Sequence, residues 1–112
     1  CCGVQYAVEA DGSVYPCDFY VMDEYQIGNF NKDSFDQIDQ KRSEIRFIER
    51  SSQVEKACRS CPYFLLCRGG CRRNRGNGMQ TEPTRNNFCE GYKIFFEKWY
   101  DTLMQLGKLV QR

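Results

Sequence analysis

Four cysteines fall between Cys58 and Cys71, in the stretch CRSCPYFLLCRGGCRRN. No other feature constrains the chain so strongly, because sulfur at that density either cross-links or binds metal. The 112 residues hold 8 cysteines and no histidine, which excludes mixed Cys/His zinc sites and histidine-based catalysis. Three chemistries remain open. Disulfides could pair eight cysteines in about 105 ways, yet the opening CCGVQYAVE carries no basic segment followed by an apolar run to signal secretion. Zinc takes two close pairs on tight turns; Cys58 and Cys61 form C-x2-C, and Cys67 and Cys71 form C-x3-C. An iron–sulfur cluster takes three thiolates from one loop and a fourth from elsewhere. C-x2-C-x5-C supplies three, and Cys89 could supply the remote fourth.

The rest of the chain predicts a small α+β domain organised by its metal. VQYAVEADGSVYPCDFY reads as a β-hairpin, with Val4, Tyr6 and Val8 alternating and Asp11-Gly12 at the turn. Such a turn brings its two ends together, so Cys2 and Cys17 can face one metal centre. Gly28-Asn29 ends an irregular stretch. NKDSFDQIDQKRSEIRFIER has Phe35, Ile38, Ile45 and Ile48 near helical spacing, with Asp33 or Ser34 as cap. Ser52 and Glu55 form a capping-box pattern. The cysteine-dense stretch reads as loop and short turns, and RNRGNGMQTEPTRNN as a turn-rich, mobile segment. A C-terminal helix follows, capped by Asn87 with Glu90 at the third helical position. Its apolar stripe of Phe88, Tyr92, Phe95, Phe96, Trp99, Leu103 and Leu106 is expected in the core. The organisation expected is a hairpin and first helix over 1–50, a cysteine-rich loop over 51–87 and a helix over 88–110, all one domain excised from a larger enzyme.

In order, the chain has Cys2, nine residues to Gly12, four to Cys17, then C58-x2-C61-x5-C67-x3-C71, and finally Cys89. This order resembles the seven-cysteine pattern of SPASM domains, the auxiliary-cluster extensions of radical S-adenosylmethionine enzymes that modify peptides and proteins. VEADGSVYPCDFY, GNF and CRGGCRRN are further similar to the anaerobic sulfatase-maturating branch, which oxidises a Cys or Ser of a sulfatase to formylglycine. The resemblance implies two auxiliary [4Fe–4S] clusters. Cys58, Cys61, Cys67 and Cys89 would ligate the second. Cys2, Cys17 and Cys71 would ligate the first, with Cys1 or a cysteine upstream of this chain as the fourth. The upstream residue is favoured, because two adjacent cysteines meet one cluster awkwardly.

The same resemblance implies that Asp18 approaches the substrate and takes a proton during its oxidation, a role that suits a carboxylate. Its alternative is to cap a turn or hold the cluster loop. It further implies a cytoplasmic enzyme of an anaerobic bacterium, with two partners: the S-adenosylmethionine-binding core of the same chain and a sulfatase or peptide substrate. Peptide-crosslinking, thioether-forming maturases share the pattern, and a zinc-stabilised interaction module without redox role is the rival from another class. C-x3-C-x2-C, the spacing that holds the catalytic cluster in radical enzymes, is absent, since Asn74 stands where its third cysteine would fall. This piece alone is expected to be inactive.

Arg68 and Arg72, beside Cys67 and Cys71, are candidates for offsetting the negative charge of a thiolate-ligated cluster. Arg73 and Arg75 fit a solvated basic loop equally well. Nucleic-acid binding fits poorly, because the formal net charge is only +1. No stretch reaches the ~20 apolar residues of a membrane span.

Overall fold

The computed structural model describes residues 2–3 and 5–110. Val4, expected in the first strand, and Cys1, a candidate ligand, lie outside the described residues. The fold is α+β, with a three-stranded antiparallel sheet and five α-helices among the described residues. Two compact units divide the chain, Cys1–Gln53 and Val54–Arg112.

The first unit is built on the hairpin. β1 (Ala7–Val8) pairs with β2 (Ser13–Tyr15), placing Ala7 opposite Tyr15 and Val8 opposite Val14. Gly12 takes φ +86° at the turn, which glycine adopts without steric cost. Asp11 tightens it by accepting from both the N–H and the hydroxyl of Ser13, each at 2.9 Å. Gly28-Asn29, expected to be irregular, is instead a third strand, β3 (Gly28–Asn29), with Ser13 opposite Asn29 and Val14 opposite Gly28. Two residues are too few to show alternation. The strand depends on pairing and on the side chains of Asn29 and Asn31, which both donate to the Asp11 carbonyl.

Helix α1 (Phe35–Glu44) starts at Ser34 with a complete capping box: the Ser34 hydroxyl accepts from Gln37 N–H, and the Gln37 side chain accepts from Ser34 N–H. The single helix expected through residue 50 breaks after Ile45. Arg46 is left-handed, with φ 52°, and α2 (Phe47–Ser52) follows. The break lets Phe47 enter a cluster of edge-on rings with Tyr20 and Tyr25, at centroid distances of 5.1 and 6.2 Å. Edge-to-face packing at these distances adds to the gain from burial. Beside it lies the apolar core of Val14, Ile27 and Ile38, with Tyr6, Phe30 and Ile45 packed on it. Of the expected helix residues, Ile38 is buried, whereas Phe35 and Ile48 are exposed.

The second unit contains two single-turn helices, α3 (Lys56–Arg59) and α4 (Phe64–Cys67), then a 3-10 turn over Arg72–Asn74 and the long α5 (Cys89–Val110). Ser52 and Glu55 do not form the expected box: Glu55 precedes α3 without a side-chain cap, and the Ser52 hydroxyl donates back to the Glu49 carbonyl. The segment expected to be mobile is pinned, because Arg75 and Asn86 form an antiparallel bridge across it and are both buried. Asn86, not Asn87, meets the start of α5, its side-chain oxygen accepting from Phe88 N–H at 2.9 Å.

The expectation of a core role for the α5 stripe is overturned. No described residue of α5 is buried. Its inner edge packs on Tyr63, whose ring lies 5.9 Å from both Phe96 and Tyr100. Phe88, Phe95, Trp99 and Leu106 are exposed. Periodicity identifies the face that needs cover but not where the cover comes from. Among the described residues, no helix is long and apolar enough to cross a membrane.

Ile38 is fully buried at the centre of the first core. Ile38→Ala is expected to lower unfolding stability by roughly 2–5 kcal/mol, from lost burial plus the cavity left behind. Denaturant titration with an unchanged slope checks this.

Candidate metal centre

The two single-turn helices are what gather the thiols. Cys58 sits in α3, Cys61 follows its end, Cys67 closes α4, and Cys89 is the first residue of α5. All four line one cavity of about 210 Å³, walled on its apolar side by Tyr63, Phe64 and Phe96. Burial pushes the Cys58 thiol above its ordinary range, and the negative charges of Glu55, Cys89, Cys67 and Cys61 push it the same way. Among the described residues, no three Cys, Asp or Glu side chains are gathered tightly enough to hold a single metal ion.

Two cations that sequence reasoning missed line the cavity, Arg85 and Lys93. For Lys93 the spacing carried a signal, since it stands four residues, about one helical turn, after Cys89 in α5; Arg85 lies before the helix and had no such signal. Both are raised above their ordinary range, first by hydrogen bonds, from Arg85 to Glu55 and from Lys93 to Glu90, and also by the charge of Cys89. Arg85 Nε donates to Glu55 at 3.1 Å. Arg68, chosen from the sequence, is exposed and left-handed (φ 49°), and Arg72 is buried. Neither lines this cavity.

The other candidate ligands are Cys2 and Cys71, both exposed, and Cys17, half-buried. The Cys17 thiol donates to Asp18 Oδ1 at 3.2 Å. Gln5 Nε2 donates to the same oxygen at 3.1 Å and lies 4.0 Å from the Cys17 sulfur. Burial pushes the Cys17 thiol up, the Phe19 N–H opposes this, and Asp18 raises it further. Asp18 itself is exposed at the start of a 3-10 turn. Cys2 is followed by a well-anchored backbone: Arg42, buried in α1, donates to the Gly3 carbonyl at 3.2 Å and stacks 4.5 Å over the Tyr6 ring. Asp39 completes that anchor by pairing with both Arg42 and the Tyr6 hydroxyl.

Four thiols line one cavity flanked by two cations, the residue types that an iron–sulfur cluster-binding domain uses. The family model of SPASM, an iron–sulfur cluster-binding domain, matches residues 1–62, and the chain belongs to that family. It is 40% identical over 107 residues to the cysteine-type anaerobic sulfatase-maturating enzyme of Clostridium novyi (strain NT), covering 96% of this chain and 29% of that protein. To the serine-type anaerobic sulfatase-maturating enzyme of Bacteroides thetaiotaomicron it is 30% identical over 98 residues, covering 86% of this chain and 24% of the relative. The solved structure of native anSMEcpe with bound AdoMet and Kp18Cys peptide superposes with a TM-score of 0.83 at 38% identity. That match covers 96% of this chain and 30% of the other. The chain thus spans under a third of the length of the relatives it matches.

The raised Cys58 thiol has a direct consequence in metal-free protein. At neutral pH less of it is thiolate, so iodoacetamide is expected to modify Cys58 more slowly than the exposed Cys71. The rate should climb as pH rises through the raised value. Peptide mapping by mass spectrometry checks it.

Proposed function

We propose that this chain is the auxiliary-cluster domain of an anaerobic sulfatase-maturating enzyme. In that reading the whole enzyme oxidises a sulfatase residue to formylglycine, and this domain holds two [4Fe–4S] clusters. The observation that carries it is the single cavity lined by Cys58, Cys61, Cys67 and Cys89. Three thiols from one short stretch and a fourth from the start of α5 are the ligand pattern of an iron–sulfur cluster. The second cluster is assigned to these four. Cys2, Cys17 and Cys71, with a fourth ligand from Cys1 or upstream, are assigned to the first by resemblance. A cysteine substrate is favoured over a serine one, because the likeness to the cysteine-type relative is higher and spans more of the chain.

When bound, such a cluster supplies a one-electron acceptor and sets its potential through surrounding charge and hydrogen bonds. The residues of this chain do the rest. Arg85 and Lys93 offset the charge of the four thiolates. Tyr63, Phe64 and Phe96 keep water from the sulfurs. Asp18 is the group proposed to take a proton from the substrate. As a metal ligand, Cys17 has no thiol proton left to donate, so Asp18 keeps only the Gln5 contact and its carboxylate is open to that proton. The exposed aromatic edge of α5 suits burial against the S-adenosylmethionine-binding core of the longer enzyme, and the reducing cytoplasm of an anaerobe suits its free thiols.

Anaerobic reconstitution with iron and sulfide tests the cluster assignment. About eight irons per chain with matching sulfide are expected for two four-iron clusters. Cys67→Ala should lose close to half of that and destabilise the surrounding turns, because metal binding and folding are coupled. Tight zinc with no sulfide and a native fold would sink the reading. In the full-length enzyme, Asp18→Asn is expected to lower turnover by roughly 10²–10⁴-fold while cluster content is unchanged. Unaltered turnover would remove Asp18 from the mechanism.

A further inference from the structure

Between Cys67 and Cys71 the backbone takes a course that L-residues avoid. Arg68, Gly69 and Gly70 adopt φ values of 49°, 79° and 63° in succession. Left-handed residues ordinarily occur singly, because Cβ crowds the following carbonyl. Glycine relieves that strain at two of the three positions, and there is no room for more. A Cβ on Gly69 would stand 2.7 Å from Val54 Cγ1, and one on Gly70 would stand 2.4 Å from Asn86 Nδ2. Such a turn persists only where its surroundings over-determine it.

Arg75 and Asn86 are those surroundings, each only 5% exposed. Arg75 Nε donates to the Gly69 carbonyl at 3.0 Å, and Nη2 donates to the Gly70 carbonyl at 2.7 Å. Asn86 Nδ2 donates to the Gly69 carbonyl at 3.3 Å and reaches the Cys71 carbonyl at 3.5 Å. The other side of the same amide accepts from Phe88 N–H, immediately before Cys89. One pair of side chains thus touches the turn after Cys67, the backbone of Cys71 and the approach to Cys89. Cys67 and Cys89 line the cavity, as does Gly69; Cys71 does not.

We propose that Arg75 and Asn86 are positioning residues that separate the two metal centres. By clamping the left-handed turn, they keep Cys67 with Cys58, Cys61 and Cys89 and commit Cys71, four residues on, to a different site. This rests on the cluster reading above. A two-pronged guanidinium can hold two successive carbonyls in fixed geometry, and an ammonium cannot, so charge alone does not replace Arg75. Because the clamp serves ligands of both centres, its loss differs from the loss of any one cysteine.

The test uses the full-length enzyme, loaded anaerobically, with Arg75→Met, Arg75→Lys and the near-isosteric Asn86→Asp. Iron and sulfide content, the electron paramagnetic resonance signals of the reduced auxiliary clusters, and melting temperatures with and without clusters are measured. All three variants are expected to alter the signals of both auxiliary clusters and to shrink the melting increment that loading provides. Full rescue by Arg75→Lys would replace positioning with a charge effect and overturn the proposal. So would unchanged signals, or equal drops in melting temperature with and without clusters. Cys67→Ala and Cys71→Ala serve as controls, each expected to remove a different signal. If those two keep their full iron and both signals, the ligand assignment itself fails, which separates that outcome from failure of the clamp alone.

Discussion

Four thiols gathered around one cavity are the constraint on which the second unit depends. Cys58, Cys61, Cys67 and Cys89 come from two single-turn helices, the link between them and the first residue of a long one, and at Cys58 burial and the neighbouring negative charges both oppose ionisation. Nothing in apolar packing would gather four such groups. Under the proposed assignment a metal core bound by all of them would supply what packing does not, and metal binding would then be folding free energy. The unit is built accordingly: single-turn helices with no buried residues of their own, and a long helix whose first residue lines the cavity. Arg85 and Lys93 add positive charge at the rim, where solvent weakens but does not abolish their effect.

The first unit is stabilised by ordinary means. A β-hairpin with a third short strand, a fully capped helix and a ring cluster around Phe47 need no metal to explain them. Its candidate chemistry is peripheral to that core. Cys17, Asp18 and Gln5 form a small hydrogen-bonded group at the exit of β2, and Arg42 fixes the backbone beside Cys2. The contrast between the units lies in where their side chains go: Tyr20, Phe47, Val14 and Ile38 are fully buried in the first unit, whereas the aromatic residues of α5 in the second are not.

Much of this was legible in the residue order. Cysteine spacing pointed to the four-thiol set, the Asp-Gly dipeptide to the hairpin, and Ser34 was among the candidates to open the helix, because each signal is local. What sequence could not reach was non-local. β3 exists through pairing with β2, and Arg46 breaks a helix because Phe47 finds a better site among Tyr20 and Tyr25. Arg75 and Asn86 read as loop residues, yet they are buried because they hold carbonyls from a turn several residues away. The α5 stripe was visible, but periodicity does not say whether its cover lies within the same segment. Relatives more than three times as long leave ample chain to supply it.

Glycine shows how differently one residue type can be constrained. At Gly91 and Gly107, both in α5, nothing lies within 4 Å of where a Cβ would stand. Alanine at either would strengthen the helix by about 1 kcal/mol. Gly69 and Gly70 allow no such freedom, sterically or in φ. In terms of mutational tolerance, the domain therefore concentrates its intolerance in a turn with no catalytic or ligating side chain. Drift can erode the helix surface and leave the metal chemistry intact. The same drift at two neighbouring hydrogen atoms would disable it.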